Sequence, residues 1–93
     1  MFAEREVVVT NKTGLHARPA AIFVQKANRF ESDIKIICNG KEINAKSMIG
    51  VLSLGAGQGS RVTIQAEGED AEAAAAELAR VIEKELPEED SEE

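Results

Sequence analysis

Four short segments of the chain have the residue patterns of β-strands. Three of them alternate apolar and polar residues, as strands do when one face of a sheet is buried, and the first contains the β-branched run Val7-Val8-Val9. The segments comprise residues 2–10, 32–38, 41–45 and 60–66. The pair Asn39-Gly40 lies between the second and the third segment and is the strongest signal for a two-residue hairpin in the chain. The pattern therefore predicts four strands, two of which are joined by a tight turn.

The segments between these strands place apolar residues three or four positions apart, which is the spacing of one face of a helix. Three helices are predicted, and they end at about residues 28, 54 and 86. Pro19 suits the first turn of the first helix. Ser47 and Asp70 are suited to cap the second and the third helix, and Pro87 is expected to end the third.

The predicted order of elements is β-α-β-β-α-β-α. A sheet with one apolar and one polar face needs a cover on one side only, and the three helices can supply it. We therefore expect an α+β open-faced β-sandwich that forms a single domain over residues 1–86. Residues 87–93 lack apolar anchors and are expected to form a disordered acidic tail.

The net charge of −6 is concentrated near the C-terminus, where five of residues 88–93 are acidic. The preceding part of the chain offers no basic stripe with Trp or Tyr platforms, so nucleic-acid binding is not expected. No apolar run approaches the roughly 20 residues that span a bilayer, and Glu4, Arg5 and Glu6 interrupt any signal-peptide pattern. We expect a cytoplasmic protein without membrane insertion.

Cysteine and histidine each occur once in the chain. Cys38 shares its alternation with Ile34 and Ile36, which predicts a small core residue. A single Cys and a single His far apart in sequence do not have the spacing of metal ligands. The sequence therefore predicts no disulfide, no metal site and no cofactor.

His16 lies between a turn that contains Gly14 and the start of the first predicted helix. The first N–H groups of a helix have no intrahelical partner, so the amides of Ala17 and Arg18 can bind an anion. The Arg18 guanidinium can bind a phosphoryl oxygen. Two interpretations stay open on these grounds alone, an anion-handling site and a polar loop residue. Asn11 and Thr13 either make the turn or orient His16.

Two stretches carry a family resemblance. Residues 14–20, Gly-Leu-His-Ala-Arg-Pro-Ala, closely resemble the active-site signature of HPr, the histidine-containing phosphocarrier of the bacterial phosphoenolpyruvate-dependent sugar phosphotransferase system. Residues 46–55, Lys-Ser-Met-Ile-Gly-Val-Leu-Ser-Leu-Gly, resemble that family's second helix in its Gram-positive-like type. The resemblance extends from residue 2 to about residue 86 and implies a four-stranded antiparallel sheet with three helices on one side.

The resemblance implies a phosphocarrier and not an enzyme. His16 would accept a phosphoryl group on its δ nitrogen from the phosphorylated first enzyme of the system, and Arg18 would assist the transfer. The group would then pass to the A component of a sugar-specific permease. Ser47 would be a regulatory phosphorylation site for a serine kinase/phosphorylase, and the modified protein would have a transcriptional regulator as a further partner.

Residues Met48, Ile49 and Val51 begin a helix that is more apolar than one buried stripe requires. Exposure of Met48 or Ile49 near His16 would form a surface on which partner proteins dock. A relay must release each partner, so we expect a monomer that forms transient complexes.

Three other functions are compatible with parts of the pattern. The first is a regulatory paralogue of the same fold in nitrogen or carbon control, although His16 disfavours the catabolite-repression paralogue that lacks the active histidine. The second is a passive protein-binding module in which His16 is incidental. The third is an acylphosphatase-like hydrolase, which would need a water-positioning residue that no second polar cluster supplies.

Overall fold

The structure is a computed structural model that describes residues 1–90. Its four strands form one sheet in the order β1-β4-β2-β3, and all neighbours are antiparallel. The strands are β1 (Phe2–Val8), β2 (Asp33–Cys38), β3 (Lys41–Asn44) and β4 (Arg61–Glu67). The helices are α1 (Ala17–Ala27), α2 (Met48–Leu54), α3 (Ala71–Arg80) and α4 (Leu86–Asp90), with a π-helical segment, Val81–Glu85, between the last two. The expected α+β open-faced sandwich is confirmed.

Alternation along the strands places one face of the sheet under the helices. In the register, Ile36 of β2 lies opposite Ile64 of β4 and Ile43 of β3, so branched side chains stack across the sheet. Phe23 of α1 and Leu78 of α3 are fully buried against this face. Cys38 is buried in the same core, as its alternation predicts. Burial of a continuous apolar layer holds the helices on one side of the sheet.

The end of the third predicted helix differs from the expectation. Pro87 does not end it, because the π-helical segment leads directly into α4. Pro87 follows the π-helical segment inside a helical run that is continuous from α3, so its missing N–H removes one helical hydrogen bond without ending the helix. Leu86 is fully buried beside it. The part of the predicted tail over residues 87–90 is therefore helical, and residues 91–93 lie outside the described chain.

Asp70 also acts differently from the prediction. It precedes α3, but its side chain makes no capping hydrogen bond. It accepts hydrogen bonds from the Ser32 hydroxyl and from the backbone N–H groups of Glu31 and Ser32, both at 2.9 Å. The Ser32 hydroxyl, followed by the Glu31 amide, lowers the pKa of the Asp70 carboxyl. Asp70 therefore ties the start of α3 to the loop that precedes β2.

Helices α1 and α2 pack in opposite directions. The Asn28 side-chain amide, at the end of α1, donates to the Lys46 carbonyl at 3.1 Å, just before α2 begins. At the other end, the Leu15 N–H donates to the Ala56 carbonyl at 2.9 Å, just after α2 ends. His16 therefore lies near the end of α2, and Ser47 lies near the opposite end of α1. None of the helices described over residues 1–90 combines the length and the apolar character of a membrane-spanning segment.

Candidate functional site

The segment that leads to His16 is held at consecutive peptide groups. The Gly14 N–H donates to the Asn11 carbonyl at 3.2 Å, and the Asn11 side-chain amide donates to the Gly14 carbonyl at 2.9 Å. Gly14 has a φ of +66°, and a Cβ atom there would lie 2.4 Å from the Ala56 oxygen. Leu15 is only 1% exposed. The segment is thus packed closely on the loop after α2.

His16 is the N-cap residue of α1 and is exposed. Its backbone is extended, with φ −137° and ψ 156°, and its carbonyl accepts the first helical hydrogen bond from the Ala20 N–H at 3.3 Å. Its side chain makes no capping hydrogen bond. The backbone on both sides of the imidazole is fixed, while the ring itself lies at the surface and is open to a second protein.

The backbone at Ala17 has a feature that the sequence did not indicate. Its φ is +50°, in the left-handed region that disfavours residues with a Cβ atom, and such a conformation costs about 1–2 kcal/mol. Residues held in this way occur at functional sites, where the surrounding structure enforces them. Neither the Ala17 nor the Arg18 amide has a hydrogen-bond acceptor within residues 1–90. Both are available to an anion beside His16.

Arg18 is exposed, and its guanidinium makes no ion pair or hydrogen bond to another side chain in the described part of the chain. The buried Pro19 follows it and fixes the backbone of the first turn of α1. The site therefore combines an exposed imidazole, two open amides and one available guanidinium. Such a set can receive a small anion at the surface without enclosing it.

Ser47 caps α2. Its Oγ accepts a hydrogen bond from the Gly50 N–H at 3.0 Å, and the side chain is half-buried. Capping is one of the two roles predicted for Ser47. The half-buried position also leaves the hydroxyl near the surface, as the second predicted role, regulatory phosphorylation, requires. Because α1 and α2 run in opposite directions, Ser47 and His16 do not share a site.

The predicted docking residues are not all at the surface. Ile49 is 81% exposed and Met48 is half-buried, but Val51 is fully buried against the core. The assignment of Val51 to a docking surface is therefore wrong. The seven-residue helix α2 turns Val51 and Leu54 inward, and a side chain two positions after Ile49 necessarily lies on a different face.

Two surface grooves lie away from His16. One, of about 370 Å³, lies at the edge formed by β2 and β3, and the other, of about 500 Å³, lies between α1 and α3. Within residues 1–90, no group of three or more His, Cys, Asp or Glu side chains could hold a metal ion.

Comparison with known proteins assigns the family. Residues 3–84 match the family model described as "PTS HPr component phosphorylation site". The HPr-like protein Crh of Halalkalibacterium halodurans is 54% identical over 84 residues, which is 90% of this chain and the whole of that protein. This chain belongs to the HPr family.

Solved structures of family members are similar to this chain throughout. The phosphocarrier protein HPr of Bacillus anthracis superimposes with a TM-score of 0.86 at 51% identity, covering 88% of this chain and 98% of that one. The catabolite-repression protein Crh of Bacillus subtilis, solved as a dimer with a swapped domain, has a TM-score of 0.72 at 49% identity, covering 86% and 92%. The HPr-family fold is thus confirmed over nearly the whole chain, and the family comprises small proteins that are not enzymes.

Proposed function

We propose that this HPr-family protein is a phosphoryl carrier in which His16 is the acceptor. The observation that carries the proposal is the geometry at the start of α1. There an exposed imidazole precedes two amides and an Arg18 guanidinium that have no partner within residues 1–90. A phosphoryl group on the ring would find its negative charge balanced by these donors. The charge-assisted contacts are few and exposed, so the group is not trapped.

The transfer needs no cofactor. The phosphorus–nitrogen or phosphorus–oxygen bond of the donor breaks as a bond to the δ nitrogen of His16 forms, and the reverse sequence delivers the group to the next acceptor. Ala17 and Arg18 supply hydrogen bonds to the phosphoryl oxygens through their amides, and Arg18 also supplies its side chain. The proposed partners are the phosphoenolpyruvate-dependent first enzyme and the A component of a sugar permease, and the proposed location is the cytoplasm.

The test is transfer of labelled phosphate from phosphoenolpyruvate through the purified first enzyme. The wild-type protein should acquire acid-labile, base-stable label, and the His16→Ala variant should acquire none while its far-ultraviolet circular dichroism stays native. Label of the same stability on the variant would remove His16 from the role of acceptor. Arg61→Ala, which removes an exposed cation from the uncovered face of the sheet, is the matched control and should be labelled normally.

Ser47 is proposed as the regulatory phosphorylation site. Its hydroxyl caps α2, and a phosphate there would still face the positive end of the helix. The added charge would stand beside the exposed Ile49 and weaken the docking of apolar partner surfaces at Met48 and Ile49. An ATP-dependent serine kinase should place acid-stable label on wild type and on Ser53→Ala, and none on Ser47→Ala. Label on Ser47→Ala would assign the modification elsewhere.

A second function, regulation of carbon or nitrogen use without phosphoryl relay, is supported by the names of relatives. One curated relative is an HPr-like protein Crh, and one related solved structure is a catabolite-repression protein. These names favour the regulatory function more than the relay, whereas the exposed His16 favours the relay. If the regulatory function alone operates, His16→Ala should leave Ser47-dependent binding of a transcriptional regulator intact and wild type should fail the transfer assay.

The proposed oligomeric state is a monomer, because a relay must present the start of α1 to successive partners. The Crh structure of Bacillus subtilis is a swapped dimer, which makes a dimer the alternative that the measurement distinguishes. Sedimentation at micromolar concentration should give the mass of one 10.0 kDa chain. A species of twice that mass would contradict the proposal.

A further inference from the structure

Asn11 is one of two polar side chains that are buried within residues 1–90, the other being Ser32. Asn11 is 2% exposed, and its side-chain amide donates to the Gly14 carbonyl at 2.9 Å. Burying an amide is costly unless it is hydrogen-bonded, so a buried Asn marks a position where the bond itself matters.

The turn does not need this side chain to close. The hydrogen bond from the Gly14 N–H to the Asn11 carbonyl, at 3.2 Å, already closes it through the backbone. The side-chain bond is additional and acts on the next peptide group, between Gly14 and Leu15. The N–H of that same peptide donates to the Ala56 carbonyl at 2.9 Å. The C=O and the N–H of the Gly14–Leu15 peptide are therefore both held in fixed directions, one residue before His16.

From this arrangement we propose that Asn11 is a positioning residue for phosphoryl transfer at His16. The inference rests on the proposed carrier function. Asn11 acts through the chain and touches no phosphate: it orients the Gly14–Leu15 peptide, and the buried Leu15 then holds His16 at the start of α1. The His16 carbonyl is fixed on the other side by the Ala20 N–H. The ring is left with only its own side-chain torsions to adjust.

A loss of this orientation is expected to slow transfer more than it weakens partner binding. Reacting groups must meet within a few tenths of an ångström, and a displacement of about 1 Å can cost about 100-fold in rate. Partner docking depends instead on the wider surface, which Asn11 does not reach. The Asn11→Asp variant keeps the size of the side chain and replaces the donating amide by an acceptor that faces the Gly14 carbonyl.

The experiment measures single-turnover transfer from the phosphorylated first enzyme at several enzyme concentrations. Asn11→Asp should lower the limiting rate by about tenfold or more and change the half-saturating concentration by less than about twofold. Amide exchange at Leu15 should quicken. Ser32→Ala is the matched control, because it perturbs the other buried polar side chain at the far side of the fold, and it should transfer at the wild-type rate even where it is less stable.

The possible outcomes separate the two proposals. If wild type accepts no phosphoryl group, the carrier function fails before Asn11 is tested. If wild type transfers and Asn11→Asp does so at an unchanged limiting rate, or if Ser32→Ala slows transfer equally, the positioning role is overturned. Asn11→Ala repeats the test without a new charge. Failure of both Asn11 variants to fold at low temperature would assign Asn11 to holding the fold and would also overturn the proposal.

Discussion

Gly14→Ala is the perturbation that examines most directly how the His16 segment is held. The φ of Gly14 is +66°, and a Cβ atom there would lie 2.4 Å from the Ala56 oxygen and 2.6 Å from the Gly57 Cα, both of them backbone atoms. Gly55→Ala is a close control, because Gly55 has a φ of +69° and an added Cβ would meet nothing within 4 Å. The left-handed backbone costs about 1–2 kcal/mol in either variant.

Only in Gly14→Ala must the segment before His16 also move away from the loop after α2. Moving the His16 segment away from Ala56 breaks the Leu15 amide hydrogen bond of 2.9 Å, which is worth about 0.5–1.5 kcal/mol. It also partly exposes Leu15, now 1% exposed, and half-exposure of a Leu side chain costs roughly 1 kcal/mol. We therefore expect Gly14→Ala to lower the free energy of unfolding by about 2 kcal/mol more than Gly55→Ala.

Urea unfolding followed by far-ultraviolet circular dichroism is the suitable assay, because the chain has no Trp or Tyr for fluorescence. With a slope of about 1 kcal/mol per molar urea, the two midpoints should differ by about 2 M. The transfer rate at His16 should fall in Gly14→Ala and stay near wild type in Gly55→Ala. Midpoints within about 0.5 M of each other would refute the inferred packing of the His16 segment on the loop after α2.

Three further predictions concern other parts of the molecule. Asp70→Asn should destabilise the fold at neutral pH relative to the control Glu69→Gln. The pKa of Asp70 is lowered from 3.8 in the folded state, so the contribution of its carboxylate to the free energy of unfolding is present above that pH and is lost as the pH falls below it. The unfolding curves of wild type and variant should therefore converge in acid. Phe23→Ala removes a fully buried ring and should lower the free energy of unfolding by about 3–5 kcal/mol, and a loss below 1 kcal/mol in urea titration would contradict the core assignment. Arg18→Ala should unfold like wild type and transfer phosphate about tenfold more slowly, and an equal slowing by Arg61→Ala would show a general charge effect instead.

The strand pattern was predictable because burial of one face leaves a period of two in the sequence. The structure places all four strands within two residues of their predicted ends. The end of β1 shows why the limits shift: after Val8, Val9 bonds to Gly59 and Ser60 in a loop instead of continuing the ladder. Where a strand ends depends on the residues that pair with it across the sheet, and those residues lie far away in sequence.

The candidate site was predictable in part. His16, Arg18 and Ser47 could be named because their motifs are local and are carried by contiguous residues. The sequence did not predict the burial of Val51, because a short apolar helix has apolar residues on several faces. Which face is buried is known only once the neighbouring elements are known. The roles of Asp70 and Pro87 were also assigned wrongly from local propensity, which tertiary contacts overrode.

By itself, then, the sequence determined the period of each element, the one-sided sheet and the chemistry available at the start of α1. Only the tertiary structure decided that α1 and α2 run in opposite directions, which sets His16 and Ser47 apart. It also decided the left-handed backbone of Ala17 and the burial of Asn11. The physical reason is that periodicity reports which side of an element meets the core, whereas these features depend on contacts between residues distant in the chain, such as Leu15 with Ala56.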